Sequence, residues 1–132
     1  MTTRTATCRC GQLAATATGE PVRVSVCHGL DCQKRSGSSF AAQARWPTGQ
    51  VTISGEARVW TRIGDSGAAT DFSFCPTCGA NLFYRGGGFP DLIAIAIGAF
   101  ADPAFPAPMF SVWEQRKHGW VEILGDGVEH FD

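Results

Sequence analysis

The sequence has no excess of charge of either sign and no long apolar run. Its 11 lysines and arginines nearly balance 12 aspartates and glutamates, so the formal net charge is −1. A protein held to nucleic acid by bulk charge needs a strong basic excess, and we therefore expect no nucleic-acid partner. No apolar run approaches the roughly 20 residues that cross a bilayer, so no membrane partner is expected. Residues 1–5 lack the apolar core of a signal peptide, which favours the cytoplasm.

The sequence also lacks internal repeats, low-complexity tracts and any long amphipathic helical pattern. Short alternating segments between glycine and proline turns fill most of it instead, which predicts an all-β fold. The length of 132 residues suffices for one hydrophobic core, so we expect a single domain over residues 1–132. One helical turn is predicted at 29–36, and strands are predicted at 3–10, 12–18, 22–26, 39–46, 51–53, 57–63, 70–74, 81–85, 92–97, 110–113 and 120–124.

Two close cysteine pairs, each followed by glycine, have the spacing of metal ligands. One is Phe74-Cys75-Pro76-Thr77-Cys78-Gly79, and the other is Cys8-Arg9-Cys10-Gly11. Because each pair supplies half of a tetrahedral zinc shell, we predict that they join in one structural four-cysteine zinc site. A disulfide framework is the alternative for six cysteines, but the expected reducing compartment and the ligand spacing oppose it. Free buried cysteines are the third interpretation.

A third cysteine pair lies in the segment Cys27-His28-Gly29-Leu30-Asp31-Cys32-Gln33-Lys34-Arg35-Ser36-Gly37. With the two outer pairs, this segment resembles the glutathione-dependent formaldehyde-activating enzyme family, which is related to the centromere protein V domain and other β-tent proteins. The stretch from Ile97 to Pro103, the stretch from Trp113 to Trp120 and Asp126-Gly127 are similar to the closing part of that family. The resemblance covers nearly the whole chain.

The resemblance implies an all-β, tent-like arrangement of small antiparallel sheets around a structural zinc. It implies that the zinc ligands are the outer cysteines Cys8, Cys10, Cys75 and Cys78. In the family the inner segment reads Cys-His-Cys-X-X-Cys, and its three cysteines hold a second zinc. Here Cys27 and Cys32 match the first and third cysteines, and Gly29 stands at the middle position.

The function implied by the resemblance is that of a zinc-dependent carbon–sulfur lyase acting on a glutathione adduct, of the S-(hydroxymethyl)glutathione synthase type. Zinc and glutathione are the implied cofactor and co-substrate, and Cys27 and Cys32 are the catalytic candidates. Two thiolates alone hold zinc weakly, so three alternatives remain for this pair. It could bind a second zinc whose shell is completed by His28, Asp31, His118 or water. It could instead be a reduced dithiol or a disulfide. The alternative function is a catalytically decayed, zinc-stabilised module that binds a small thiol or a partner protein.

Basic side chains are candidates for binding the carboxylates of glutathione. The four candidates are Lys34, Arg35, Arg45 and Arg116. Each also has an ordinary interpretation as a solvated surface charge. His118 is a candidate proton shuttle, with a plain surface histidine as the alternative. The four tryptophans are expected in the core or at the edge of a pocket.

Overall fold

The computed structural model describes all residues, 1–132, and most of its regular structure is β-strand. The one α-helix, α1 (Leu30–Ser36), is seven residues long and falls far short of what a bilayer-spanning helix requires. The strands are β1 (Thr3–Thr7), β2 (Ala14–Thr18), β3 (Arg23–Cys27), β4 (Ala41–Pro47), β5 (Val51–Ser54), β6 (Arg58–Ile63), β7 (Ala69–Phe74), β8 (Asn81–Gly86), β9 (Phe89–Ala96), β10 (Phe110–Val112) and β11 (Glu129–His130). The predicted all-β fold is confirmed.

The smaller of two sheets has three antiparallel strands in the order β1-β2-β5. Alternation of threonine and alanine places one type of residue on each face of the sheet. Ala6, Ala15 and Ala17 are fully buried, whereas the threonines of β1 and β2 are at least partly exposed. The buried alanines present a flat face on which the larger side chains of the second sheet can pack closely.

The larger sheet has eight strands in the order β11-β10-β3-β4-β9-β8-β7-β6. Its pairings are antiparallel except at β10, which runs parallel to both β3 and β11. The parallel register sets Val112 opposite Cys27, so the chain after β10 passes directly beside the end of β3. That pairing brings a segment from the C-terminal part of the sequence to the inner cysteine segment.

Trp46 is the largest fully buried side chain of the core between the two sheets. Its ring packs against Phe100 at 5.8 Å and Phe105 at 6.5 Å between ring centroids. Its indole nitrogen donates a hydrogen bond of 3.0 Å to the carbonyl of Gly19, which satisfies the one polar group of the side chain. Phe105 belongs to the proline-rich connection 101–108, so this connection contributes a side chain to the core.

The strands predicted at 3–10, 92–97 and 120–124 differ from the structure. The first ends at Thr7, and residues 9–10 form a turn. Residues 120–124 form no strand: Trp120 and Leu124 are 75% and 81% exposed, and the segment pairs with no other strand. The last strand is β11, which extends the sheet beyond β10. The strand predicted at 92–97 ends at Ala96, because residues 97–100 turn into a short 3-10 helix.

Candidate functional site

The four outer cysteines converge between β1 and the β7–β8 turn. All four sulfur atoms lie within 4.8 Å of one another. The Sγ atoms of Cys8 and Cys10 are 3.6 Å apart, and those of Cys10 and Cys75 are 3.8 Å apart. A tetrahedron with metal–sulfur bonds of about 2.3 Å requires about 3.8 Å between sulfurs. The group therefore has the composition and the size of a tetrahedral metal site.

The glycine after each cysteine pair has a backbone conformation that side chains resist. Gly11 and Gly79 have φ values of 87° and 79°. In this left-handed conformation the N–H of Gly11 reaches the carbonyl of Cys8 at 3.1 Å, and the N–H of Gly79 reaches the carbonyl of Cys75 at 2.8 Å. Both turns thus close in the same way, and both sets of sulfurs point to one centre.

Hydrogen-bond donors surround the most buried sulfur of this group. The Sγ of Cys75 accepts bonds from the backbone N–H groups of Thr77 and Cys78, each at 3.4 Å, and from Gln12 Nε2 at 3.0 Å. Burial alone would raise the pKa of the Cys75 thiol, but these donors outweigh it and lower the pKa to about 6. Because thiolates are the form that binds metal, the surroundings of Cys75 favour its role as a ligand, whereas the neighbouring sulfurs raise the pKa of Cys10 to about 11. Four sulfur ligands leave no open coordination position for a substrate.

The inner pair joins the end of β3 to helix α1. Cys27 is the last residue of β3, and Cys32 lies within α1, whose first backbone hydrogen bond runs from Gln33 N–H to the carbonyl of Gly29 at 3.0 Å. The Cys27 and Cys32 side chains lie close enough for each to shift the pKa of the other. Cys27 is only 9% exposed, whereas Cys32 is half-buried and reaches the surface of a cavity. The two sulfurs therefore differ in access to small molecules.

The two thiols also differ in acidity. Interaction with the Cys27 thiol lowers the pKa of Cys32 to about 6, and the nearby Arg35 guanidinium lowers it further against the opposing effect of burial. The pKa of Cys27 is raised by its interaction with Cys32 and by burial. The two thiols titrate as a coupled pair, and their surroundings favour the negative charge on Cys32.

None of the three side chains considered as an additional zinc ligand joins Cys27 and Cys32. His28 is fully buried, and its Nε2 lies 2.9 Å from the hydroxyl of Ser111. Asp31 pairs with the guanidinium of Arg62 at 2.8 Å. His118 lies 2.9 Å from the side-chain oxygen of Gln33. The outer four cysteines are the one place in the chain where three or more metal-ligating side chains converge.

Gly29 is the position at which a third ligand is missing. Its φ of −54° and ψ of 146° are open to any residue with a side chain. A Cβ atom on this residue would lie 3.4 Å from Cys27 Sγ and 3.7 Å from Trp113 Cγ. A side chain at residue 29 would therefore point to the inner pair, and the pair as it stands does not fit a stable zinc shell.

The cavity beside Cys32 has a volume of about 460 Å³ and is bounded by α1 and strands β4 and β6 to β9. Most of its charged groups are cationic, and Asp31 is the single acidic residue at its edge. The cationic side chains are Lys34, Arg35, Arg45 and Arg62. A volume of this size is typical of small-molecule sites, and the cationic lining favours an anionic ligand.

Aromatic rings hold the arginines of this cavity in place. The Arg45 guanidinium lies 4.4 Å from the Phe89 ring centroid, and it donates a hydrogen bond of 3.0 Å to the Tyr84 hydroxyl. The Arg35 guanidinium lies 4.9 Å from the Tyr84 centroid and 5.1 Å from that of Phe72. Burial raises the pKa of Tyr84 despite the two arginines, so its hydroxyl stays neutral and can donate a hydrogen bond.

The structure thus brings three of the four candidate carboxylate-binding residues to Cys32, namely Lys34, Arg35 and Arg45. Arg116 lies outside the cavity, and its carbonyl accepts a hydrogen bond from Gln33. His118 is also outside, at the same Gln33 side chain.

Sequence reasoning missed Arg62, Phe72, Tyr84 and Phe89 in the cavity. Arg62 shares one face of β6 with Trp60 in an alternating pattern, which was the available signal. For Phe72 and Tyr84 the sequence offers only strand alternation, which does not predict what the shared face contacts. Of the four tryptophans expected in the core or at the edge of a pocket, Trp46 is in the core and Trp60 lines the cavity, whereas Trp113 and Trp120 are 54% and 75% exposed.

Comparison with known proteins adds a family and a fold. The family model described as "Glutathione-dependent formaldehyde-activating enzyme" matches residues 3–116. A crystal structure of a protein from Rhodobacter sphaeroides has the same fold, with a TM-score of 0.59 at 18% identity, over 75% of this chain and 91% of that one. No curated protein matches the sequence. Since the family match extends over most of the sequence and includes all six cysteines, the chain belongs to the glutathione-dependent formaldehyde-activating enzyme family.

Proposed function

We propose that the cavity beside Cys32 binds glutathione and its hydroxymethyl adduct, and that the protein is a carbon–sulfur lyase that makes or cleaves this adduct. The observation that carries the proposal is the position of a low-pKa thiol among cationic side chains in one cavity. The family supports the choice of thiol and of carbon electrophile. The proposed functional unit is a single domain over residues 1–132, and its reduced thiols suit the cytoplasm.

Recognition would rest on the fixed arginines. Glutathione carries two carboxylates, and a guanidinium binds a carboxylate through two parallel hydrogen bonds. Arg35 and Arg45 are already positioned by aromatic rings, so little side-chain freedom is lost when the ligand binds. Arg62 is partly neutralised by Asp31, and Lys34 is exposed at the cavity edge, so both would assist at longer range.

The chemistry would use the charge difference between the two inner thiols. The Cys32 thiolate accepts the proton of the glutathione thiol, and the resulting glutathione thiolate attacks the carbon of formaldehyde. The Tyr84 hydroxyl is the available hydrogen-bond donor for the oxygen that gains negative charge. Cys32 then gives its proton to that oxygen, which completes the adduct and restores the Cys32 thiolate. In the reverse direction Cys32 takes the hydroxyl proton, the carbon–sulfur bond breaks, and Cys32 returns the proton to the departing thiolate.

We propose that the outer cysteines hold zinc. A tetrahedral set of four thiolates is typical of structural zinc, and iron is the other metal that takes such a set. The ion would supply the bonds that tie the β1 end to the β7–β8 turn. It would take no part in the reaction, because four sulfur ligands saturate it.

The second candidate function is a zinc-stabilised binding module that has lost catalysis. The observation that favours it is the glycine at residue 29 and the absence of any third ligand beside Cys27 and Cys32. Such a module would still bind a small thiol or a partner protein. Turnover of a formaldehyde–glutathione mixture above the spontaneous rate separates the lyase from this alternative.

We predict that Cys75→Ser or Cys10→Ser unfolds or aggregates the protein. Structural zinc contributes about 10 kcal/mol or more to the folding of small zinc domains, and each substitution removes one ligand. Thermal melts with and without a strong chelator measure the effect. The matched control is Cys27→Ser, which should lower the melting temperature little. Equal melting curves for Cys75→Ser, Cys10→Ser and the unaltered protein would show that the outer site has no structural role.

We predict that Arg45→Gln weakens glutathione binding about tenfold, because a charge-assisted hydrogen bond contributes about 1.5 kcal/mol or more. Isothermal titration calorimetry with reduced glutathione measures the dissociation constant. Arg85→Gln is the matched control: Arg85 lies on β8 next to Tyr84 but is exposed outside the cavity. Equal losses of affinity in the two variants would contradict the assigned binding site.

We predict that alkylation of Cys32 by iodoacetamide has a midpoint near pH 6. The lowered pKa means that the reactive thiolate is present above about pH 6 and is lost as the pH falls through that value. Mass spectrometry of the peptide that contains Cys32 gives the rate at each pH. Arg35→Gln removes a favourable charge and should raise the midpoint. A midpoint near the ordinary thiol value of about 8.5 in the unaltered protein would refute the assigned thiolate.

We predict that Gly29→Cys raises the zinc content from about one ion to about two ions per chain, because a third thiolate completes a catalytic type of shell. The backbone at residue 29 accepts a side chain, and the new Cβ would lie beside Cys27 Sγ. Metal analysis by mass spectrometry measures the content. Gly29→Ala adds the Cβ without the sulfur and should leave the content unchanged. Two ions in the unaltered protein would mean that an unassigned ligand already completes the inner site.

A further inference from the structure

The inner cysteine pair has the unequal exposure of a nucleophile and its resolving partner. Cys32 lines the cavity, whereas Cys27, at the end of β3 next to α1, is only 9% exposed and is not part of the cavity lining. A molecule in the cavity can therefore meet Cys32 first, and Cys27 is the thiol nearest to anything that becomes attached to Cys32. No other cysteine lines this cavity.

No metal-ligating side chain holds this pair in a closed shell. The two sulfurs are left free to react because the position between them carries glycine. A third cysteine there would give a set of three thiolates, and metal-bound thiolates are poorly available for exchange. Trp113 lies 3.7 Å from the place that a Cβ at residue 29 would take, so an aromatic ring borders this position.

We propose that Cys32 and Cys27 form a redox-active dithiol that exchanges with disulfides of small anionic thiols, with Cys32 as the nucleophile and Cys27 as the resolving cysteine. The choice of anionic disulfides rests on the proposed glutathione-binding function, whereas the dithiol exchange itself is independent of that function. The activity uses the same cavity but moves electrons between sulfur atoms, whereas the proposed lyase forms and breaks a carbon–sulfur bond.

The exchange has two balanced steps. The Cys32 thiolate attacks one sulfur of the disulfide, the bound sulfur–sulfur bond breaks, and one small thiolate leaves while a mixed disulfide forms on Cys32. Cys27 then gives its proton to the first departed thiolate and attacks the Cys32 sulfur, which releases the second small thiolate and forms the Cys27–Cys32 disulfide. The dithiol loses two electrons, and the substrate disulfide gains them as two thiols. A small thiol in excess reverses both steps.

The cavity suits the leaving group of the first step. A departing thiolate from an anionic disulfide carries more than one negative charge, and it would leave beside Arg35 and Arg45. Cations near a thiolate lower its basicity and make it a better leaving group. Trp60 and Phe72 supply an apolar surface for the central sulfur atoms of the substrate.

The test treats the zinc-loaded protein with glutathione disulfide, quenches the exchange with acid, alkylates the remaining thiols and maps the peptides by mass spectrometry. The unaltered protein should give a Cys27–Cys32 linkage with the outer four cysteines unlinked. Cys27→Ser should stop at a stable glutathione adduct on Cys32, because the resolving thiol is absent. Cys32→Ser should give neither product. These three results together would support a nucleophile and a resolving cysteine in the assigned order.

The substrate class is tested by comparing glutathione disulfide with the neutral hydroxyethyl disulfide. Glutathione disulfide should form the linkage about tenfold faster, the factor expected from one charge-assisted contact. Arg45→Gln should remove this preference, and Arg85→Gln should keep it. Equal rates for the two disulfides in the unaltered protein would overturn the anionic substrate class and weaken the proposed glutathione site as well.

A separate result would overturn the proposed dithiol exchange without affecting the proposed glutathione site. If calorimetry shows that reduced glutathione binds but neither disulfide produces a Cys27–Cys32 linkage, the exchange activity is wrong and the proposed binding site stands. The exchange would also be overturned if a glutathione adduct accumulated on Cys32 in the unaltered protein as fully as in Cys27→Ser, because Cys27 would then not act as the resolving cysteine.

Discussion

The convergence of four sulfurs between residues 8–10 and 75–78 is the constraint on which the rest of the structure depends. It joins the end of the small sheet to a turn of the large sheet, across more than sixty residues of sequence. Cys8 and Cys75 are also buried members of the hydrophobic core, so the four-sulfur group and the core share two side chains. The edge of the large sheet that carries the cavity, β6 to β8, leads directly into this site.

The cavity gathers several positive charges on one face of a β-sheet, and aromatic rings keep two of its arginine side chains in fixed orientations. The guanidiniums of Arg35 and Arg45 lie over rings of neighbouring strands, which limits their freedom. Helix α1 supplies Cys32 and Arg35 from one short segment, so the thiol and one of its cations move together. The low pKa of Cys32 follows from its interaction with Cys27 together with this arrangement.

One side chain separates two kinds of chemistry at the inner site. A third thiolate would make the site a metal shell with an open position, whereas glycine leaves a dithiol. The backbone at Gly29 has an ordinary conformation, and the Cβ direction points to Cys27, so the fold itself does not require glycine here. The difference between the two chemistries therefore lies in a single residue and leaves the surrounding structure unchanged.

The sequence by itself determined the features that depend on local spacing. The two cysteine turns, the order of the strands from β1 to β10, the helical turn at residues 29–36 and the family all follow from short patterns. Predictions failed where pattern alone was used without a pairing partner, as at 120–124, where exposed Trp120 and Leu124 form no strand.

Only the tertiary structure decided which side chains share the cavity. Arg62, Phe72 and Tyr84 share the cavity with Cys32 because β6, β7 and β8 pair in one register beside α1. The register between strands cannot be predicted from the sequence of any one of them. The same pairing leaves Arg116 outside, although its residue type matches that of Arg35 and Arg45. Spacing along a chain sets local geometry, but convergence at a site requires hydrogen-bonded neighbours that are distant in sequence.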